Sequence, residues 1–173
     1  MIYPIKLFGG VGKMKSICFT GHRNVKLTPE LERRLYVTLE RLIRQGAVDF
    51  YAGGALGWDT FCAEAVLSLR KSNPQIRLHL VLPCPPEEQT AKWTEYQKNE
   101  YSHILSDADS AEILSEQYHS ACMKKRNARL VEYADCCVCY YNRRSASGTG
   151  QTVRMAQKRG IVIYNLAEQE DAV

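Results

Sequence analysis

Four short segments of this 173-residue chain hold residue types that could bind a substrate or act on it. They occupy positions 20–23 (TGHR), 53–59 (GGALGWD), 83–86 (PCPP) and 145–152 (SASGTGQT). Each follows a short apolar run that is typical of a buried strand. In an open α/β sheet, ligands bind beyond the carboxyl ends of the strands. We therefore expect the four segments to meet along one edge of a sheet and to form a binding site there.

The glycine-containing segments predict a site for an anion. A glycine turn lets the backbone approach a ligand closely, and the helix that follows offers free N–H groups and the positive end of its dipole. Two such turns on one edge suit a phosphate or a pyrophosphate. We assign no catalytic residue. The candidate ligand-binding residues are Gly21, His22, Arg23, Gly53, Gly54, Ala55, Leu56, Gly57, Trp58, Asp59, Arg126, Asn127, Ser147, Gly148, Thr149, Gly150 and Thr152.

Several of these side chains also have a purely structural interpretation. His22 either contacts a phosphate or ribose, or satisfies the end of its own strand. Arg23 either clamps a phosphate or is an ordinary surface residue. Asp59 either holds ribose hydroxyls or caps a helix, and Trp58 either stacks on a base or packs in the core. Arg126 either reaches the ligand or pairs with a carboxylate, so the sequence leaves each of these roles open.

The distribution of charge agrees with an anionic ligand. Positions 122–159 carry nine basic and two acidic residues, a local charge of +7 in a chain whose total is +4. Such a patch can bind small phosphates or nucleic acid, or simply form solvated helix faces. Nucleic acid is disfavoured as a partner, because the pI is only about 8.7 and no basic strand is interleaved with aromatic residues.

Apolar, β-rich runs alternate with longer helical patterns along the chain. We predict strands at 15–20, 48–52, 76–82, 111–114, 135–141 and 161–165, and helices at 29–45, 58–69, 86–105, 120–133 and 148–158. This alternation predicts the α/β class, with a single Rossmann-like three-layer domain in which helices flank a mostly parallel sheet. The domain is predicted to span 14–173.

Positions 1–13 fit none of these elements. They are interpreted as an N-terminal arm or an added extension. The run GGVGK at 9–13 resembles a phosphate loop, but it precedes a predicted strand, whereas a true phosphate loop follows one.

Composition restricts the class of protein further. The chain is 45% hydrophobic and 24% charged, as in an average globular domain. No apolar run approaches the roughly 18–20 residues needed to cross a bilayer. The first residues also lack the pattern of a secretory signal. We therefore expect a cytoplasmic protein without a membrane partner.

Seven cysteines raise the question of a metal or redox site. Without a secretory signal, reduced thiols are expected. The only close spacing, CCVC at 136–139, lies in a predicted buried strand, where cysteine packs as a small hydrophobe. We expect no metal and no cofactor, and the missing G-x-G-x-x-G fingerprint argues against an ordinary NAD dehydrogenase.

A homo-oligomer is a candidate assembly, because Trp93, Tyr96 and Tyr101 could form an interface. The same three aromatic residues could equally well belong to a lid or to the core.

Taken together, the motifs resemble the YpsA-like branch of the SLOG superfamily. The resemblance rests on TGHR at 20–23, GGALGWD at 53–59, Gln89 with Trp93, Arg126-Asn127, Asp135 and SGTGQT at 147–152. It spans positions 14–166. That superfamily gathers Rossmann-like proteins related to the DNA-processing Smf proteins and to the LOG phosphoribohydrolases. The resemblance implies a Rossmann-like fold that binds a nucleotide or nucleotide-derived ligand at 21–23, 53–59 and 147–152.

The chain departs from the LOG enzymes at one informative position. Those enzymes cleave the N-glycosidic bond of a nucleoside monophosphate with a PGGxGTxxE motif. When GGxGTxxE is laid over 147–154, its glutamate falls on Arg154, which cannot act as a carboxylate does.

Three functions therefore remain open at this stage. We predict a sensor or regulatory protein that binds a nucleotide-derived phosphate ligand such as ADP-ribose or a related NAD metabolite. The alternatives are an N-glycosidic or phosphoester hydrolase that uses Asp59 or Glu64, and a protein that binds single-stranded nucleic acid.

Overall fold

Six parallel strands form one sheet in the order β4-β3-β2-β1-β5-β6. The strands are β1 (Ser16–Gly21), β2 (Asp49–Ala52), β3 (Arg77–Leu82), β4 (Ser110–Ile113), β5 (Cys136–Tyr140) and β6 (Val162–Asn165). The computed structural model describes residues 14–142 and 147–167. The predicted arm at 1–13, with its GGVGK run, lies outside the described residues, as do positions 143–146 and 168–173.

Helices cover both faces of this sheet. They are α1 (Pro29–Arg44), α2 (Trp58–Arg70), α3 (Pro86–Gln89), α4 (Glu95–Asp107), α5 (Cys122–Tyr133) and α6 (Gly148–Arg159). The helices α1, α2 and α4 pack on one face, and α5 and α6 pack on the other. The predicted α/β class and the Rossmann-like three-layer architecture are therefore confirmed. Within 14–142 and 147–167, no helix is both long and apolar enough to cross a membrane.

The central strands are apolar on both sides because each side is covered. On β1, Phe19 packs toward α1 and α2, whereas its neighbour Cys18 packs toward α5 and α6. On β5, Val138 packs in the layer of α1 and α2, and Cys137 packs in the layer of α5 and α6. Successive side chains of a strand point to opposite faces, so a strand buried on both sides has no polar alternation. All seven cysteines are free and buried, and those of β5 belong to the core.

The stretch that the sequence predicts as one helix at 86–105 is two helices, α3 and α4. The hydroxyl of Thr94 accepts a hydrogen bond from the Gln97 N–H at 3.3 Å, and the Gln97 side chain accepts one from the Thr94 N–H at 3.0 Å. This reciprocal capping box starts a new helix. The break leaves Trp93 in the connection between the two helices.

The chain reverses its direction across the sheet after β4. Strands β1 to β4 follow one another toward one edge of the sheet, and α5 then connects β4 back to the middle of the sheet. There β5 pairs with the free side of β1, with Ile17 opposite Cys136. The helices that follow β1 and β5 lie on opposite faces, and such a switch point leaves a crevice at the carboxyl ends of the two strands.

Candidate functional site

A cavity of about 320 Å³ opens at the carboxyl end of β1, in the crevice described above. We call it the edge cavity. Its walls come from the end of β1, the start of α2, one side of α5 and the start of α6. They consist of Phe19, Thr20, Gly21, His22, Arg23, Ala55, Asp59, Met123, Arg126, Asn127, Leu130, Ser147, Gly148 and Thr149. The fold thus brings residues of three of the four chemically interesting segments to one place, together with Arg126 and Asn127.

Arg126 is the buried cation of the edge cavity. Its residue is 6% exposed, and its Nη1 donates a hydrogen bond to the Gly53 carbonyl oxygen at 2.5 Å. The Nε group donates to Asn127 Oδ1 at 2.8 Å. Position 53 must be glycine for this contact, because a Cβ there would lie 1.9 Å from Arg126 Nη1. Gly53 therefore makes room for the guanidinium and does not itself line the cavity.

Asp59 is the buried anion beside it. Its Oδ2 accepts hydrogen bonds from the N–H groups of Gly53 at 3.1 Å and Ala55 at 3.3 Å, and lies 3.7 Å from Arg126 Nη1. Burial raises the pKa of the Asp59 carboxyl above its ordinary value, although the Arg126 charge and the two amides oppose that rise. Burial lowers the pKa of the Arg126 guanidinium, which still remains protonated at neutral pH because arginine starts from so high a value. The pair ties the GGALGWD loop to α5.

The start of α6 supplies backbone donors. The Ser147 hydroxyl caps the helix by accepting from the Gly150 N–H at 3.1 Å, and the Ser147 carbonyl accepts from Gln151. In the described part of the chain, the N–H groups of Gly148 and Thr149 have no hydrogen-bond partner. Both residues line the edge cavity. Unpaired amides at the N-terminus of a helix attract anions.

Two further interactions hold this helix start in place. Asn127 Nδ2 lies 3.5 Å from the Gly148 carbonyl oxygen, which links α5 to α6. The Thr152 hydroxyl donates to the same oxygen at 2.8 Å from a fully buried position. Thr152 therefore supports the wall without lining the cavity.

The TGHR and GGALGWD loops are packed directly against each other. The Trp58 N–H donates to the His22 carbonyl oxygen at 3.2 Å, and His22 Nε2 accepts from the Asn142 N–H at 3.4 Å. Gly57 has a φ of +77°, and a Cβ at this position would lie 2.1 Å from the Arg23 carbonyl oxygen. Arg23 is exposed and His22 is half-buried at the mouth of the cavity. Glycine at position 57 thus allows the two loops to meet.

Seven of the seventeen candidate residues do not line the edge cavity, namely Gly53, Gly54, Leu56, Gly57, Trp58, Gly150 and Thr152. Gly54 and Leu56 border a separate, small hollow beside Tyr101. Trp58 is fully buried in the core, where its indole N–H donates to the Val138 carbonyl oxygen at 3.4 Å. It is therefore not available to stack on a base in the cavity. Gly150 packs against the Tyr141 ring.

Four lining residues were missed by sequence reasoning: Phe19, Thr20, Met123 and Leu130. Met123 and Leu130 flank Arg126 on α5 at spacings of three and four residues, which is the spacing of one helix face. That periodicity could have identified them. Phe19 was interpreted as strand only, whereas Thr20 opens the TGHR segment but was not counted among the candidate ligand-binding residues.

Asp59 and Glu64, the two acids considered for a hydrolase, lie in different surroundings, and Arg154 lies in a third. Asp59 lines the edge cavity, whereas Glu64 lies further along α2 and does not line it. Burial and Glu100 raise the pKa of the Glu64 carboxyl. Arg154, which stands at the position of the LOG glutamate, is exposed on α6 and is not a lining residue.

Comparison with solved structures finds the same fold at low sequence identity. DNA processing protein A from Helicobacter pylori, which binds single-stranded DNA, superposes with a TM-score of 0.56 at 19% identity. The match covers 84% of this chain and 62% of that protein. The structural-genomics target TM1055 superposes with a TM-score of 0.53 at 16% identity, over 86% of this chain and 71% of that one.

Sequence relatives include proteins of Halalkalibacterium halodurans and Bacillus subtilis. A UPF0398 protein of Halalkalibacterium halodurans is 28% identical over 68% of this chain, which spans 62% of that relative's length. YoqJ, a protein derived from the SPbeta prophage of Bacillus subtilis, is 29% identical over 75% of this chain and 81% of its own. The family model YpsA, of the YspA SLOG family, matches residues 17–166. Since this match covers most of the chain and agrees with its fold, the protein belongs to the YpsA-type SLOG family.

Proposed function

We propose that this protein binds a nucleotide or nucleotide-derived phosphate ligand in the edge cavity and acts as a sensor or regulatory protein. ADP-ribose and related NAD metabolites are the ligands of this class that we favour. One observation carries the proposal. The buried Arg126 guanidinium lines the same cavity as Gly148 and Thr149, whose amides have no partner in the described part of the chain.

The charges around the edge cavity support an anionic ligand. Arg23 and Arg126 contribute two positive charges to its lining, and Asp59 contributes one negative charge. Two backbone amides and Arg126 already surround Asp59 Oδ2. A guanidinium and the N-terminus of a helix together form a combination that proteins commonly use to hold phosphate.

The lining favours binding over cleavage. Hydrolysis of a glycosidic bond generally uses two carboxyl groups, one as acid and one as base or nucleophile. Asp59 is the one carboxylate among the described residues that line the edge cavity. The position that carries the glutamate in LOG enzymes holds Arg154, whose exposed side chain supplies no carboxylate. A hydrolase based on Asp59 alone is therefore the less favoured function.

Native mass spectrometry with AMP, NAD and ADP-ribose tests the proposal. We expect one intact ligand per chain and no new product on long incubation. Gly148→Trp should abolish retention while the fold survives, because the atom nearest to a Cβ at position 148 is Asn127 Nδ2 at 3.7 Å. Gln157→Trp, at an exposed position on the same helix, is the matched control and should retain the ligand.

Two other results would replace the proposal. A free base or a sugar phosphate among the products would make the protein an enzyme, and Asp59 would then be the first residue to change. Retention of single-stranded DNA, with an affinity that falls steeply with salt and without binding of the three nucleotides, would assign the function of the Helicobacter neighbour.

A further inference from the structure

A second cavity of about 300 Å³ adjoins the edge cavity and shares Arg23 and Met123 with it. We call it the Trp93 cavity. Pro83 and Cys84, from the PCPP segment after β3, form part of its wall, and Trp93 and Tyr118 form another part. The PCPP segment contributes no residue to the lining of the edge cavity. All four chemically interesting segments therefore contribute to the two adjoining cavities.

Polar groups of the wall of the Trp93 cavity are engaged in holding it together. Gln89 Nε2 donates to the Gly54 carbonyl oxygen at 2.8 Å, and Gln89 Oε1 accepts from the Tyr101 hydroxyl at 3.3 Å. Glu88 Oε2 accepts from the Tyr118 N–H at 2.5 Å. These bonds fix the position of the wall relative to the GGALGWD loop.

Beside the charged Arg23 and Lys92, aromatic and soft apolar groups of the wall are available to an occupant. Trp93 is half-buried and packs edge-to-face on Tyr101, with ring centroids 5.4 Å apart, so its orientation is defined. Tyr118 is 61% exposed, and Met123 lies on the wall that both cavities share. Aromatic rings stack on nucleobases of any kind, and a thioether adapts to an irregular apolar surface.

We propose that the Trp93 cavity binds the planar aromatic group of the same ligand whose phosphate occupies the edge cavity. This inference rests on the function proposed for the edge cavity. Arg23, on the shared wall, lies where the charged linkage between the two halves of the ligand would pass. The chemical class is thus a base joined through sugar and phosphate, and a sugar phosphate without a base fills only the edge cavity.

Titration calorimetry with AMP and ribose 5-phosphate, which differ only by the base, tests the inference. The wild-type protein should bind AMP at least about tenfold more tightly, because each stacked base adds binding energy of that order. Tyr118→Ala should remove most of this preference and leave the affinity for ribose 5-phosphate unchanged. Trp93→Ala should act in the same direction. Tyr96→Ala, at a residue 74% exposed and outside both cavities, is the matched control and should change neither affinity.

The outcomes separate this inference from the function on which it rests. Equal affinities for the two probes, with no effect of Tyr118→Ala, would overturn the role of the Trp93 cavity and leave the edge cavity as a phosphate site. Failure of the wild-type protein to bind either probe would overturn the proposed function itself. Trp93 also packs on Tyr101, so the exposed Tyr118 is the variant that tests binding without disturbing the core.

Discussion

Two clusters of charged side chains, one between helices at the edge of the sheet and one on its strands, have sharply different surroundings. At the carboxyl edge, Arg126 and Asp59 lie 3.7 Å apart, and their side chains are 8% and 6% exposed. On β2 and β3, Asp49 lies 3.0 Å from Arg77 and 2.9 Å from His79, with side chains between 17% and 55% exposed. Both clusters pair a carboxylate with a basic side chain, and only the first lines the edge cavity.

Residue types alone therefore do not identify a binding site. His79 contacts Asp49 through Nε2 and the Ser110 hydroxyl through Nδ1 at 2.7 Å, so serine, histidine and aspartate form a chain as in a hydrolase triad. None of the three lines the edge cavity or the Trp93 cavity. Water screens such a group of charges, whereas the buried pair interacts strongly and carries a large desolvation cost.

Removing one partner of the buried pair should give the largest effect. Arg126→Met leaves the Asp59 carboxylate buried without its cation, and we expect a loss of about 3–5 kcal/mol in the free energy of unfolding. Urea denaturation measures this loss. The double variant Arg126→Met/Asp59→Asn should recover part of it, since the buried charge is then gone as well. A single variant as stable as the wild type would show that the pair is solvated in solution.

Crowding the pair should cost less than breaking it. Gly53→Ala places a Cβ 1.9 Å from Arg126 Nη1, so the guanidinium must move, at a cost of about 1–3 kcal/mol. Gly148→Ala is the control, because the nearest atom to its added methyl lies 3.7 Å away. Denaturation curves of the two variants should therefore separate clearly. Coincident curves would mean that Gly53 is not required for the packing of Arg126.

The charge of Asp59 should make anion binding depend on pH. Burial raises the pKa of this carboxyl, so it takes up a proton as pH falls toward values still above the ordinary 3.8. Protonation removes a negative charge from the edge cavity, and sulfate should therefore bind more tightly as the pH falls from neutrality toward the ordinary range of a carboxyl group.

Two variants check the assignment of this pH response. Asp59→Asn should show a weaker dependence of sulfate affinity on pH than the wild type. Glu64→Gln removes another carboxyl with a raised pKa, but one outside the cavity, and should leave the response of the wild type intact. A response that persists in Asp59→Asn would assign it to a different group.

The exposed cluster should give the smallest effect. Arg77→Gln removes an ion pair whose arginine is 55% exposed, and we expect a change of less than about 1 kcal/mol in the free energy of unfolding, with no change in ligand binding. The same urea experiment measures it beside Arg126→Met. A loss as large as that of Arg126→Met would erase the distinction between the two clusters.

Much of the fold could be predicted because local signals agree with it. Thr28 followed by Pro29 predicts the start of α1, and the Thr28 hydroxyl accepts from the Leu31 N–H at 3.2 Å. The strand and helix alternation predicts the parallel sheet and the edge at which the glycine segments meet. The error at 86–105 arose because helical periodicity continues through positions 90–94, whereas the capping box at Thr94 interrupts it.

From the sequence, the segments that form the site could be predicted, but the contacts between their side chains could not. Arg126 pairs with Asp59 and also lines the edge cavity, so its pairing with a carboxylate is observed and its contact with a ligand stays a prediction. Its contact with Gly53 joins residues 73 positions apart, which no local pattern encodes. Seven candidate residues, Trp58 among them, do not line the cavity for the same reason. The sequence locates a loop, whereas tertiary packing determines which of its atoms face the cavity.

The contact between Arg126 and Gly53 also has a consequence for how relatives can vary. A side chain at position 53 requires the Arg126 guanidinium to move, because even a methyl group would overlap Nη1 at its observed position. A smaller residue at 126 releases that restriction. Across the family, residues other than glycine at the position of Gly53 should therefore occur together with the loss of the arginine. Variation at these two positions should therefore be coupled.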